Sequence, residues 1–104
     1  METGKLRHTV LFRFVPEATA EDKERVTQAF AALREKIPGI VAFECGLNNS
    51  PEGLDQGFTR CFMLTFASEA ARDAYLPHPE HKAFGDLLNG LIAGVFVADW
   101  WANG

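Results

Sequence analysis

The sequence has two cysteines, few basic residues and no long apolar run, and each shortage argues against one class of protein. Cys45 and Cys61 form no CxxC pair and have no metal-site spacing to a histidine. The chain contains no stretch of about 18 apolar residues, the length at which a membrane-spanning helix is suspected. We therefore expect two buried free thiols, no metal and no membrane association.

The charge balance argues against nucleic acid as a partner. Ten Lys and Arg stand against 14 Asp and Glu, which gives a net charge of −4 with no basic run. Nucleic acids and anionic membranes attract basic surfaces, so we expect neither to bind this chain. The first five residues, Met-Glu-Thr-Gly-Lys, lack the apolar stretch of a secretory signal, which favours a cytoplasmic location.

Length and hydrophobic periodicity predict one domain over residues 1–104. Residues 6–15, 40–47, 58–66 and 94–100 have strand patterns, whereas 20–36 and 69–76 have helical spacing. A further helix begins at Pro79, with an apolar stripe of Phe84, Leu87, Leu88 and Leu91. The order βαββαβ, with its second helix broken, predicts an α+β ferredoxin-like fold. Such a fold has a four-stranded antiparallel sheet with its helices on one face.

The sheet face opposite the helices is predicted to be apolar. It carries Thr9, Leu11, Cys61, Met63, Phe96 and Trp100. A surface of this kind is too apolar to face water in a stable monomer, and a two-fold interface covers it with a second copy of itself. We therefore expect a homodimer.

The segment from Tyr75 to Phe84 concentrates residues suited to acid–base chemistry: one tyrosine and two of the three histidines. With Pro79 at the first helical position, His78 falls at the N-cap and His81 at the third position. The positive end of the helix dipole disfavours imidazolium, so we expect a neutral His81 that can act as a base. The open alternative is that the prolines only separate two helices and leave both histidines exposed.

Several segments together resemble the stress-responsive A/B barrel (Dabb) family. They are His8 with Val10-Leu-Phe-Arg-Phe14, Ile37-Pro-Gly39, Gly46-Leu-Asn-Asn-Ser50, Phe66, Tyr75-Leu-Pro-His-Pro-Glu-His81, Phe84 and Val97-Ala-Asp99. The resemblance implies a dimeric α/β barrel. Most members have no assigned reaction, but plant polyketide cyclases of the family close linear polyketides by aldol condensation. Resemblance to that branch implies Tyr75 and His81 as a cofactor-independent acid–base pair, with His8 lining the pocket.

The pocket walls are expected to be helix-facing side chains. They are Val10, Phe12, Val26, Phe30, Phe62, Leu64, Phe84, Val95 and Val97. Arg60 departs from the cyclase pattern, which has a histidine there, and its permanent cation at the rim favours a carboxylate or phosphate on the ligand. His78 would orient the substrate, or serve only as an N-cap.

These residues leave several functions open. An enzyme would use His81 to remove a proton α to a carbonyl and Tyr75 to stabilise the enolate, as in a cyclase-like lyase acting on a small carbonyl-rich or aromatic metabolite. A noncatalytic stress-responsive or ligand-binding dimer would have a pocket packed shut by Phe12, Phe62 and Phe84. A haem-binding monooxygenase would need an axial histidine with a flanking pattern that the three histidines lack. A cation at the free carbonyls that end the first helix is the weakest alternative.

Overall fold

The computed structural model describes residues 5–103 and confirms the predicted ferredoxin-like α+β fold. The elements are β1 (Leu6–Phe14), α1 (Ala20–Lys36), β2 (Ile40–Leu47), β3 (Arg60–Phe66), α2 (Glu69–Tyr75), α3 (Pro79–Leu87) and β4 (Ile92–Trp101). The strands form one antiparallel sheet in the order β2-β3-β1-β4. Of the helices in this part of the chain, none is long and apolar enough to cross a membrane.

Two strand starts and the cysteine environments differ from the prediction. β3 begins at Arg60 rather than Phe58, because the Phe58 N–H donates to the Asp55 carbonyl in a turn. β4 begins at Ile92 rather than Gly94. Cys45 is exposed and Cys61 is half-buried. The expectation of two buried thiols was therefore wrong, because Cys45 lies on an edge strand and Cys61 borders the sheet face opposite the helices.

Local capping chemistry sets the ends of α1. The Thr19 hydroxyl accepts from the Asp22 N–H at 3.0 Å, and the Asp22 carboxylate accepts from the Thr19 N–H at 2.9 Å. This capping box, together with Arg25, lowers the pKa of Asp22. After α1, Gly39 has a φ of 95°, and a Cβ there would lie 2.7 Å from the Ala71 Cβ. Glycine at this turn therefore allows α2 to pack close to the start of β2.

Phenylalanine rings dominate the core between the helices and the sheet. The Phe30 ring centroid lies 4.5 Å from that of Phe84 and 4.8 Å from that of Phe62. The Phe43 and Phe12 rings surround it at 5.4 and 6.0 Å. Aromatic pairs of this kind contribute about 0.5–1.5 kcal/mol each beyond the burial of their area. This aromatic cluster, centred on Phe30, therefore fixes α1 and α3 above the sheet.

Candidate acid–base site

A cavity of about 190 Å³ lies between α3, the end of α2 and strands β1 and β4. Its walls are formed by His8, Val10, Phe12, Phe30, Tyr75, Leu76, His81, Phe84, Gly85, Leu88, Val95 and Val97. His8 and Tyr75 are buried, whereas Val95 and Val97 on the edge strand β4 are 52% and 53% exposed. The cavity is therefore deepest at its polar groups and most accessible along β4.

Tyr75 is the last residue of α2, and its side chain is completely buried. Its hydroxyl has no hydrogen-bond partner within residues 5–103. Burial raises the pKa of the Tyr75 phenol, so the hydroxyl stays protonated near neutral pH. An unsatisfied buried donor costs about 1–3 kcal/mol of folding free energy, and a bound acceptor would remove that cost.

His81 lies beside Tyr75, with 4.3 Å between the two ring centroids. The Pro77 and Pro79 segment turns the chain between α2 and α3 and brings these residues to one cavity. Nδ1 of His81 is 2.9 Å from the carbonyl oxygen of Leu76. Because a carbonyl oxygen only accepts, Nδ1 carries a proton, so Nε2 is the nitrogen that can take up or release another. The backbone thus fixes the tautomer in which Nε2 can accept a proton.

His8 lies buried on β1 and lines the same cavity, with its ring centroid 5.8 Å from that of Tyr75. Its Nδ1 is 2.6 Å from Oδ1 of Asp99, which lies directly opposite on β4. Oδ2 of Asp99 accepts a second hydrogen bond from Arg72 at 2.8 Å. Sequence reasoning assigned no role to Asp99 or Arg72, and the register of β1 against β4 was the signal that would have found Asp99.

Arg60 lies away from this cavity, on the α1 side of the aromatic cluster. Its guanidinium donates to the Thr27 hydroxyl at 2.8 Å and lies 3.8 Å from the Glu24 carboxylate. These groups line a separate cavity of about 230 Å³ with Phe62. Strand alternation correctly predicted the sheet face that carries Arg60. It could not predict which helix packs against Arg60 on that face. The structure therefore does not place Arg60 at the rim of the Tyr75 and His81 cavity.

Other predicted site residues also lie outside the cavity wall. The side chains of Phe62, Leu64 and Val26 are buried in the core and are absent from the walls of this cavity. His78 is the N-cap of α3, where its Nδ1 accepts from the Glu80 N–H at 3.0 Å. Its position thus matches the capping alternative.

The described residues contain no group of three or more His, Cys, Asp and Glu side chains arranged to hold a metal ion. At the end of α1, where a cation was considered, the Leu33 carbonyl accepts from the Ile37 N–H at 2.9 Å. That carbonyl is therefore already hydrogen-bonded within the helix cap.

The sheet, its one layer of helices and the cavity between them define a small α+β protein of the ferredoxin-like type. The sequence profile of the Stress Responsive A/B Barrel Domain matches residues 6–102. The chain therefore belongs to the stress responsive A/B barrel family, as its motifs predicted.

Two relatives by sequence cover nearly the whole chain. Identity is 33% over 97 residues to stress-response A/B barrel domain-containing protein HS1 of Arabidopsis thaliana, covering 93% of this chain and 89% of that protein. Identity to olivetolic acid cyclase of Cannabis sativa is 24% over 95 residues, covering 91% and 94%. The second relative shows that the family includes a cyclase.

Solved structures share the fold. The crystal structure of At3g17210 from Arabidopsis thaliana matches with a TM-score of 0.90 at 31% identity, covering 95% of this chain and 96% of that one. A dimeric ferredoxin-like protein from Jannaschia sp. CCS1 matches with a TM-score of 0.78 at 28% identity, covering 93% and 98%. Dimeric proteins therefore occur among the structural neighbours of this chain.

Proposed function

We propose that this protein binds a small carbonyl compound in the cavity and removes a proton from the carbon next to the carbonyl. The observation that carries the proposal is the buried Tyr75 hydroxyl, which lacks a partner within residues 5–103 and lies beside the His81 ring. A ligand carbonyl oxygen would accept a hydrogen bond from this hydroxyl. As the enolate forms, negative charge develops on that oxygen and strengthens the bond.

His81 supplies the base in this proposal. Its Nε2 takes the proton from carbon, and the Leu76 carbonyl that accepts from Nδ1 stabilises the resulting imidazolium. A positioned general base contributes about 10²–10⁴-fold to such a step. The enolate carbon can then attack a second carbonyl carbon and form a C–C bond, which is an aldol-type closure. The relationship to olivetolic acid cyclase supports this extension of the proposal.

The ligand is proposed to be small, uncharged and partly apolar or aromatic. Phe12, Phe30, Phe84 and Leu88 form an apolar wall near the polar groups. The volume of about 190 Å³ is below the roughly 300–1,000 Å³ typical of drug-sized ligand pockets. Arg60 lies in the other cavity, so it cannot select an anionic group on a ligand bound beside Tyr75 and His81.

The proposal predicts that the protein accelerates exchange of the methylene protons of benzoylacetone for deuterium, followed by proton NMR in heavy water. His81→Ala is expected to slow this exchange by about 10²–10⁴-fold, because it removes the base. His78→Asn is the matched control: it removes the other imidazole of the segment but keeps an acceptor at the N-cap, so exchange should persist. Equal losses in both variants would contradict the role of His81. Binding without exchange would identify a noncatalytic binding protein instead.

We further propose that two copies of the chain associate through the sheet face opposite the helices. Phe96 and Trp100 on this face are 50% and 44% exposed, and Leu11 lies directly opposite Phe96 in the sheet. A groove of about 390 Å³ runs beside Trp100, with Cys61 and Met63 in its walls. Covering such a surface removes apolar area from water, and a second copy can do so by two-fold symmetry. The dimeric structural neighbour supports this arrangement.

Dimerisation predicts a sedimenting mass of about twice the 11.5 kDa of the chain at micromolar concentration. Phe96→Glu is expected to shift this equilibrium to monomer, because it would bury a charge without a partner in the interface. The matched control is Leu54→Glu, which changes a residue that is 70% exposed in the loop before β3 and should leave the dimer intact. A wild-type protein that sediments as monomer would overturn the proposal.

A further inference from the structure

We infer that Arg72 and Asp99 are positioning residues that hold His8 as a second proton-transfer group of the cavity. This inference rests on the proposed function and deepens it, because an aldol-type closure moves two protons. One proton leaves carbon, and another must reach the oxygen of the carbonyl that is attacked. His81 serves the first transfer, and His8 is assigned to the second.

The three side chains come from three elements and form a continuous row of hydrogen bonds. Arg72 of α2 donates through Nη1 to Oδ2 of Asp99 at 2.8 Å, and Oδ1 of Asp99 is 2.6 Å from Nδ1 of His8. The 2.8 Å contact has the length of a charge-assisted hydrogen bond, and the 2.6 Å contact is shorter still. His8 and Asp99 are directly opposed on β1 and β4, so both side chains lie on the helix-facing side of the sheet. The row therefore ends at a buried imidazole that lines the cavity.

The row fixes which nitrogen of His8 is available to a ligand. A carboxylate only accepts, so Nδ1 of His8 carries a proton and Nε2 is the nitrogen that exchanges one. Nε2 has no hydrogen bond within residues 5–103, and it is not enclosed as the Tyr75 hydroxyl is. His81 is held in the same way by the Leu76 carbonyl. Two imidazoles with fixed orientations therefore flank the Tyr75 phenol.

The two anchors suit different tasks. His81 is anchored by a neutral carbonyl, whereas His8 is anchored by a carboxylate, which stabilises an imidazolium more strongly. Arg72 holds the second oxygen of that carboxylate and so fixes the carboxylate plane. In the closure, Nε2 of His81 takes the proton from carbon, and the freed electron pair forms the C–C bond. The electrons of the attacked carbonyl move to its oxygen, which takes the Nε2 proton of His8 in its imidazolium form. Solvent then removes the extra proton from His81 and returns one to His8.

The reverse reaction begins with the transfer that is assigned to His8. The probe is the β-hydroxyketone formed from benzaldehyde and acetone, whose cleavage returns benzaldehyde and is followed by absorbance. Here Nε2 of His8 removes the hydroxyl proton, the C–C bond breaks, and His81 protonates the enolate carbon. Asp99→Asn is expected to slow cleavage by about 10²–10⁴-fold, because it removes the group that fixes the tautomer of His8. Deuterium exchange of benzoylacetone and cleavage of the hydroxyketone should both stay within a few-fold of the wild type in Asp73→Asn, which lies outside the row.

A spectroscopic readout separates positioning from general stabilisation. Nitrogen NMR of labelled histidine is expected to show the His8 ring protonated on Nδ1 in the wild type and in mixed tautomers in Asp99→Asn. Arg72→Gln should shift the His8 signals by a smaller amount, because it keeps the Asp99 carboxylate but releases its second oxygen. Arg72→Lys keeps a cation for Asp99 and should largely restore the wild-type signals. The matched control is Asp73→Asn, which changes the other carboxylate that accepts from Arg72 and leaves the row intact.

Each result decides the inference. Unchanged His8 signals in Asp99→Asn and Arg72→Gln would overturn the positioning role. A wild type that exchanges benzoylacetone but does not cleave the hydroxyketone would overturn the role of His8 in proton transfer. A wild type that does neither contradicts the proposed function, while the NMR signals still report whether Arg72 and Asp99 orient His8.

Discussion

Tyr75→Phe is expected to remove most of the deuterium exchange of benzoylacetone while leaving the protein as stable as the wild type or more stable. The phenylalanine ring fills the same buried space, and only a hydroxyl without a partner in residues 5–103 is lost. Loss of one donor to a developing oxyanion costs about 10²–10³-fold in rate. Removing an unsatisfied buried hydroxyl relieves a penalty of about 1–3 kcal/mol. Exchange rates and urea unfolding of the same samples measure both effects.

The control for Tyr75→Phe is Phe66→Leu, which is expected to lower stability without lowering activity. The Phe66 ring contacts the Tyr75 ring at a centroid distance of 5.1 Å, yet Phe66 is absent from the cavity wall. Phe66→Leu should therefore lower the free energy of unfolding and keep the exchange activity. A Tyr75→Phe protein that is less stable than the wild type by more than about 1 kcal/mol, with normal exchange, would mark Tyr75 as a packing residue.

The parts of the site predicted from sequence were those fixed by local chemistry. Proline lacks a backbone donor and favours the first turn of a helix, so Pro79 fixed the start of α3, the capping position of His78 and the third position of His81. Strand alternation likewise placed His8 on the helix-facing side of β1. Each of these inferences needs only residues that are close in sequence.

The parts that were missed depend on how distant segments align. The pairing of His8 with Asp99 spans 91 positions and is set by the register of β1 against β4. The position of Arg60 depends on which helix covers that end of β3, and α1 supplies Thr27 and Glu24 there. Alternation gives the side of a sheet on which a residue lies, but not its neighbours across the sheet.

Composition alone also left the state of the pocket open. Nine phenylalanines made a filled pocket a real alternative. The rings do pack tightly around Phe30, yet a cavity remains at His8 and Tyr75. It remains because the cavity lies along the edge strand β4, where the side chains of Val95 and Val97 are about half exposed. The aromatic cluster thus lines one side of the cavity and does not occupy its volume.

Phe30→Ala is expected to lower the free energy of unfolding by about 3–5 kcal/mol, the range for removal of a large aromatic side chain from a packed core. Phe30 is 2% exposed and contacts the rings of Phe12, Phe43, Phe62 and Phe84. A domain of this size has a total stability of about 5–15 kcal/mol, so this single change removes a large part of it. Denaturant unfolding followed by tryptophan fluorescence measures the effect.

Phe43→Ala is the matched control, because Phe43 touches the same ring from β2 but is only partly buried. Its truncation leaves space that water can enter, so the loss should be well below that of Phe30→Ala. Phe30→Leu should fall between the two, because a branched side chain refills part of the volume. Equal losses for Phe30→Ala and Phe43→Ala would mean that the aromatic cluster is not centred on Phe30. Other contacts would then hold α1 and α3 above the sheet. Phe30 could in that case be substituted as a wall residue of the cavity without an exceptional loss of stability.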